Sequence, residues 1–271
     1  MATPPLDHTA EIAAAIDGAE SVCVITGAGV SAESGLRTFR GVTGMTPEDH
    51  ASMASLWKEF DPATLATPEA FAADPERVTR WYDWRRLGCL AAEPNAAHLG
   101  LAEIERRVAA RGGEFTLLTQ NVDRLHQRGG SRNVVELHGT ITVWRCLRTG
   151  KEFEPEPRPF DVFPPRSPFV SDRSDPLGVL RPSVVWFGEA LPSDAVARAH
   201  AAAASCDLFL SVGTSSVVHP AAGFILQARE RGADTAEINL EPTPISNLVR
   251  WSVRTKAGAA MDAIVARLGH S

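Results

Sequence analysis

The sequence has no CxxC pair, no apolar run of 18 residues and no excess of positive charge. The four cysteines, Cys23, Cys89, Cys146 and Cys206, are too scattered to suggest a disulfide framework, so a reducing, cytoplasmic setting is expected. Cys23 and Cys206 lie inside apolar runs, where a cysteine acts as a small buried hydrophobe. The lack of a long apolar run argues against a membrane-spanning helix. Met1–Ala10 also lacks the basic leader and apolar core of a secretory signal. With 27 Lys and Arg against 33 Asp and Glu, the net charge is -6, which argues against nonspecific nucleic-acid binding. Neither a membrane nor a nucleic acid is therefore expected as a partner. Tyrosine is almost missing, Tyr82 being the only one. What remains is an ordinary apolar fraction, 44% of 271 residues, enough for one large domain or a large one with a smaller companion.

Short apolar stretches alternate with helical patterns. Ser21–Thr26 (SVCVIT) reads as a buried strand, preceded by a helix with Ile12, Ile16 and Ala19 on one face. Phe115–Thr119 reads as a second strand, after a helix that carries Leu101, Ile104 and Val108 and stops at Gly112-Gly113. Val134–Leu137, Asp207–Val212 and Ala236–Leu240 supply three more, with helices over Pro220–Arg231 and Ala257–Leu268. Such alternation predicts an α/β fold, a Rossmann-like doubly wound parallel sheet covered on both faces. Two stretches break the rhythm. Residues 41–90 show no buried strand, but Thr67-Pro68 and Asp74-Pro75 each put a capping residue before proline at the first helical position. Residues 141–180 are rich in proline and charge. The division expected is a sheet domain of residues 1–41, 91–140 and 181–271. The two insertions, 42–90 and 141–180, then make a second, smaller lobe. No internal repeat is evident.

Three segments carry chemistry. In Ile25–Gly41 (ITGAGVSAESGLRTFRG) a strand runs into Gly27-Ala28-Gly29, and a helix-compatible stretch begins around Ser31. Glycines there let backbone N–H groups approach a pyrophosphate beside a helix N-terminus. A plain structural turn explains the glycines equally well. Ala32 stands where the dehydrogenase fingerprint has its third glycine, and Phe39-Arg40 follows at a spacing that fingerprint does not require. In Thr119–Gly130 (TQNVDRLHQRGG), Gln120, Asn121 and Asp123 lie at the carboxyl end of a strand, where open α/β sheets place ligands. The amides and the carboxylate can hydrogen-bond a ribose, a water or a carboxamide, or simply form a polar turn. His126 reads as a packing or capping residue. In Val134–Thr140 (VVELHGT), His138 can act as a general base near neutral pH; taken by itself it reads more naturally as a buried structural histidine.

Together with Arg181–Glu189 (RPSVVWFGE), Val212–Pro220 (VGTSSVVHP) and Ile238–Pro242 (INLEP), these segments closely resemble the sirtuin family. The match covers the expected sheet domain nearly end to end and in the family's order. The resemblance implies a Rossmann-like domain, a small lobe, and NAD and acyl-lysine meeting in the cleft between them. It implies that Gly27, Ala28, Gly29, Phe39 and Arg40 line the NAD site, with Phe39 screening the ribose after cleavage. Gln120 would touch the ribose, Asn121 would orient it or its water, and Asp123 would hold the nicotinamide carboxamide. Gly213, Thr214, Ser215 and Asn239 would cradle phosphate and adenosine ribose. His138 and Asn121 would be catalytic, His138 as the base that deprotonates a ribose hydroxyl. Val185, Phe187, Gly188 and Val217 fall in segments that match those which, in the family, pair with the substrate backbone as an added strand. The activity implied is NAD-dependent removal of acyl groups from lysine of a protein or peptide, by a monomer. Transfer of ADP-ribose or hydrolysis of NAD is the alternative, and a module that senses NAD without turnover is a third; a hydride-transferring dehydrogenase is weaker still.

The sequence departs from the family in two places. Most sirtuins bind a structural zinc through two CxxC pairs in the small lobe. Here Cys146 stands at the first ligand position, Thr149 stands at its partner's, and residues 147–199 contain no cysteine or histidine. Structural zinc takes four thiolate or imidazole ligands, so no metal is expected. Phe153, Phe160, Val162, Phe163, Phe169 and Val170 are expected to form a miniature apolar core instead. Arg37 replaces the usual proline of the cofactor loop.

Acyl preference is legible too. Asp74–Leu87 (DPERVTRWYDWRRL) places Tyr82 and Arg85 three apart, on one helical face. They resemble the Tyr-x-x-Arg pair of the desuccinylase branch, and Glu93-Pro94-Asn95 follows as it does there. A guanidinium fork with a phenol suits an acyl chain ending in a carboxylate, succinyl or malonyl. The plainer alternative is that Arg85 is a surface arginine and Tyr82 packs on Trp81 or Trp84.

Overall fold

Along Ser21–Thr26, Val22 and Val24 bury on one face and Cys23 and Ile25 on the other. A strand apolar on both sides needs cover on both sides. The computed structural model describes residues 8–36 and 62–269, and supplies that cover. Its elements are α1 (Thr9–Gly18), β1 (Ser21–Thr26), α2 (Ala28–Ser31), α3 (Pro62–Leu65), α4 (Pro68–Ala73), α5 (Pro75–Ala91), α6 (Ala96–Ala110), β2 (Glu114–Thr119), α7 (Leu125–Arg128) and β3 (Val134–Glu136). There follow β4 (Gly139–Cys146), β5 (Glu152–Phe153), β6 (Leu180–Val184), α8 (Ser193–Ser205), β7 (Leu208–Val212), α9 (Phe224–Glu230), β8 (Asp234–Ile238), β9 (Trp251–Val253) and α10 (Ala257–Val265).

Six parallel strands form the main sheet in the order β3-β2-β1-β7-β8-β9. One face is covered by α1, α6 and α10 through Ile12, Ile16, Leu101, Ile104, Met261 and Ile264; Ala199, Ala203, Phe224 and Ile225 of α8 and α9 cover the other. The sheet is doubly wound, as the sequence predicts. Strand order reverses direction between β1 and β7, and open α/β sheets bind ligands in the crevice at such a switch point. The sixth strand, β9, is an addition to the five expected; three residues are too few to show a period.

A second sheet, β5-β4-β6, is antiparallel. Nothing local announces it, because β4 and β6 meet only across the proline-rich stretch between them. It packs with α3, α4 and α5 around Phe71, Val78, Trp81, Tyr82, Ile141, Trp144 and Trp186. This is the smaller lobe. Both expected caps form: Thr67 Oγ1 accepts from the Ala70 amide and Asp74 Oδ1 from that of Arg77, each with proline in the first turn. Of the expected miniature core, Phe153, Phe160 and Val170 pack against this cluster. Val162 and Phe169 do not, being 58% and 37% exposed; the Phe160 ring meets Trp144 at 4.8 Å and Phe163 at 6.3 Å, and Phe169 only edges Phe153 at 6.1 Å. No helix among the described residues is long and apolar enough to cross a membrane.

Ile104 is fully buried in the larger core. Ile104→Ala is expected to destabilise the chain by about 2–5 kcal/mol, read as a lower urea midpoint with an unchanged slope.

Candidate active site

The site is built at the switch point by two loops in backbone contact. After β1 the Gly29 amide donates to the Gly213 carbonyl at 2.8 Å, and Gly27 donates to Val212 beside it. A Cβ on Gly29 would stand 2.7 Å from that carbonyl, and one on Gly213, whose φ is +60°, would stand 2.6 Å from the Val30 amide nitrogen. These glycines are therefore needed for loop-on-loop packing as well as for any ligand. The expected helix around Ser31 proves to be α2, a single turn that starts earlier, at Ala28, and passes into a 3-10 turn over Ala32–Ser34. So short a helix offers individual amides rather than a macrodipole.

Beneath the loops lies a buried polar cluster. The Ser31 hydroxyl donates to Asp123 Oδ2 at 2.7 Å and accepts from Asn121 Nδ2 at 3.0 Å; Asn121 also donates to the Gly27 carbonyl at 3.1 Å. Asp123 Oδ1 accepts from the Leu125 amide. Burial raises the Asp123 carboxyl above its usual range, against the pull of the Leu125 and Ser31 hydrogen bonds and of the Arg85 charge. Gln120 donates to Thr214 Oγ1 at 2.9 Å, which joins the ends of β2 and β7. Sequence reasoning passes over Ser31, although the serine of GAGxSxxSG is its visible signal. It also passes over His98, which accepts from the Asn95 amide in a capping box at the start of α6 and approaches Ser31. Asn95 ties α6 to the same loop through the Val30 carbonyl and Ser34. His126 is a packing residue, as expected. It shares a hydrogen bond with Thr26 and lies 4.8 Å from the His98 ring. Burial pushes His126 down to about 3 and His98 down to about 4, so both are neutral.

His138 stands between β3 and β4, half-buried. Its Nδ1 meets the Gln120 carbonyl at 3.0 Å; a carbonyl only accepts, so Nδ1 carries the proton and Nε2 is the basic nitrogen. Burial lowers its pKa below the ordinary 6.5, offset in part by that hydrogen bond. Gly139 follows with φ +69°, and a Cβ there would stand 2.1 Å from the Ser183 carbonyl. The chain thus turns out of the large sheet beside the small one. The His138 carbonyl accepts from Val185, and Phe187 donates to the Ala66 carbonyl. Gly188 has φ +87°, and Phe187 and Val217 expose about half and 39% of their surface, respectively.

On α5, Tyr82 is buried against Trp81 and Trp186, with ring centroids 4.6 and 6.2 Å away. Burial pushes its phenol up to about 12, against the nearby Arg85 charge. The Arg85 guanidinium lies 4.6 Å over the Trp81 ring and 5.5 Å from that of Tyr82. The two residues do share a face, and Tyr82 does pack on Trp81. At the far end, Asn239 bonds the Val253 and Glu241 carbonyls at the end of β8. Phe39, Arg40 and Arg37 lie outside the described residues.

The surroundings of Cys146 do not fit a structural zinc. Burial would raise this thiol, but hydrogen bonds from Ser167, Thr149 and the Arg148 and Thr149 amides outweigh it and hold it below its ordinary range. Its neighbours are hydroxyls, not thiolates or imidazoles. Among the described residues no group of three or more His, Cys, Asp or Glu is arranged to hold a metal.

The chain is similar to known proteins over most of its length. The Sir2 family profile matches residues 27–220. An NAD-dependent protein deacylase of Thermus thermophilus is 47% identical over 246 residues, 91% of this chain and 89% of that one. The mitochondrial NAD-dependent protein deacylase sirtuin-5 of Xenopus tropicalis is 39% identical over 97% of this chain and 87% of its own. Among solved structures, a Sir2 homolog–NAD complex superposes with a TM-score of 0.81 at 41% identity, covering 94% of this chain and 92% of that one. A Sir2 variant bound to a p53 peptide and NAD superposes at 0.75 with 27% identity, covering 96% and 98%. A doubly wound sheet, a paired glycine contact at its switch point and a histidine where the chain passes from the large sheet into the second one, together with these likenesses, place the chain in the Sir2 family.

Proposed function

We propose that this chain is an NAD-dependent protein-lysine deacylase, and that it removes succinyl and malonyl as well as acetyl groups. NAD is consumed as a co-substrate. The observation that carries the reading is His138, fixed by the Gln120 carbonyl through Nδ1 and left neutral with Nε2 as an available base. The protein-deacylase relatives and the NAD complex support the activity; the sirtuin-5 relative supports the acyl range.

NAD supplies an electrophilic C1′, at which the amide oxygen of the acyl-lysine displaces nicotinamide. The residues divide the remaining work. Asp123 and Asn121, pre-aligned through Ser31, hold the carboxamide and orient the ribose or its water. Gln120 and Thr214 mark the ribose side, with Gly27, Ala28, Gly29, Gly213 and Ser215 around the phosphates and Asn239 at the adenosine end; Phe39 and Arg40 complete the lining. His138 Nε2 takes the proton of a ribose hydroxyl, which then adds to the acyl carbon; water finishes the transfer. The products are free lysine, nicotinamide and O-acyl-ADP-ribose. Substrate enters between residues 1–41, 91–140 and 181–271 on one side and residues 42–90 and 141–180 on the other. Val185, Phe187, Gly188 and Val217 read its backbone. No step requires a metal, and we read the small lobe as zinc-free. The four free, buried cysteines suit a reducing cytoplasm.

Tyr82 and Arg85 recognise the acyl carboxylate. A charged hydrogen bond contributes about 1.5–3 kcal/mol, so Arg85→Met is expected to lower succinyl-peptide kcat/KM by roughly ten- to a hundredfold and spare deacetylation. Equal loss of both activities rejects the acyl assignment. Replacing His138 by Tyr is expected to cost at least about a hundredfold with every acyl group, measured as O-acyl-ADP-ribose by mass spectrometry. The base works unprotonated and its pKa lies below 6.5. Activity is therefore expected to stay flat down through pH 7 and to fall only below the ordinary histidine range. A limb above pH 7 in kcat/KM contradicts this. Metal analysis after metal-free purification is expected to find less than stoichiometric zinc; one zinc per chain overturns the zinc-free reading.

A further inference from the structure

The segment from Glu154 to Phe163 has no regular secondary structure, and the groups around Cys146 do not suit a metal. Its path is fixed by α5 instead. Arg86 is wholly buried and Asp83 nearly so. They are paired through Nε and Nη2 to Oδ1 at 2.9 and 2.6 Å. The guanidinium then reaches across: Nη1 donates to the Glu156 carbonyl at 2.9 Å and Nη2 to that of Arg158 at 2.7 Å. The other carboxylate oxygen of Asp83 accepts from the Phe160 amide at 3.0 Å. Phe160 closes the arrangement, with its ring 5.2 Å beneath the guanidinium and 4.8 Å from Trp144 of β4.

A buried ion pair is a costly way to gain stability, and its best-attested use is to specify one arrangement over others. Among the described residues, every side-chain hydrogen bond that leaves the pair ends on the same irregular segment. The neighbours in sequence are equally telling. Asp83 and Arg86 each follow by one residue Tyr82 and Arg85, about 100° round the helix. One turn of α5 therefore presents the acyl-reading pair to one side and the segment-gripping pair to the next.

We infer that the Asp83–Arg86 pair takes the place of the metal in this lobe, and that by locking α5 to residues 156–160 it positions Tyr82 and Arg85 for the acyl carboxylate. These are positioning residues; neither touches substrate. The selectivity part rests on the proposed acyl preference, whereas the clamp itself does not.

The test uses Arg86→Lys, which keeps the charge but loses the fork, and Asp83→Asn, which removes the charge but keeps an acceptor for Phe160. Should one fail to fold, the other carries the same readouts. Amide exchange over residues 156–160 is expected to quicken about tenfold or more, with β1 and β2 unchanged. KM for a succinyl-lysine peptide is expected to rise about tenfold, with kcat for the acetyl peptide and KM for NAD held. Unchanged exchange in both variants overturns the clamp, whatever the substrate. Faster exchange with unaltered acyl selectivity, in an enzyme that prefers succinyl, overturns the positioning role. A parent enzyme with no such preference sinks the Tyr82–Arg85 reading and the selectivity part with it, while exchange still decides the clamp. A chelator that quickens exchange of this segment in the parent chain shows that a metal holds it, and overturns the substitution.

Discussion

The contact on which the rest depends is the approach of Gly29 to Gly213, backbone against backbone. It brings the loops after β1 and β7 together at the one place where the sheet changes winding direction. From there the geometry propagates through hydrogen bonds. Gly27 receives Asn121, Ser31 joins Asn121 to Asp123, and Gln120 reaches Thr214. A side chain at Gly29 or Gly213 would separate the loops and pull each of these pairs apart. The glycines are thus a condition of the polar site as much as a landing for phosphates.

The second constraint is desolvation. The cluster under the loops contains a carboxyl and two imidazoles, and each is driven toward its neutral form by burial. Such groups persist inside a core only when their partners are fixed beforehand. Ser31, Asn95 and Thr26 provide partners for Asp123, His98 and His126 Nε2, while His126 Nδ1 is buried without one. His138 differs in kind: one nitrogen is committed to a carbonyl and the other is not, the arrangement a base requires.

The smaller lobe solves a different problem. Its segment after β5 forms no ladder, and among the described residues no group of three or more His, Cys, Asp or Glu is arranged to hold a metal, yet Phe160 is packed against the lobe's core beside Trp144 and Arg86. Apolar packing alone does not choose among the many paths a proline-rich chain can take. The buried Asp83–Arg86 pair does choose, because another path would deprive Arg86 of the Glu156 and Arg158 carbonyls and Asp83 of the Phe160 amide.

Much of this was readable from the residues. Short apolar runs located β1 and β2, and a 3.6-residue periodicity located the helix of Leu101, Ile104 and Val108; proline after threonine or aspartate located the starts of α4 and α5. Those signals are local, and local chemistry suffices to encode them. The motifs identified the family because several short, separated patterns occur in one order. What escaped was non-local. The second sheet pairs Gly139–Cys146 with Leu180–Val184 across the proline-rich stretch. The role of Ser31 depends on Asn121 and Asp123, some ninety residues on in sequence. Arg86 looks like a surface charge beside Arg85 until the chain folds back over it. Sequence determines which residues are able to form an element or a site. Only the fold decides which distant backbone carbonyl, carboxylate or ring lies within hydrogen-bonding reach, because that depends on where the whole chain places its burial.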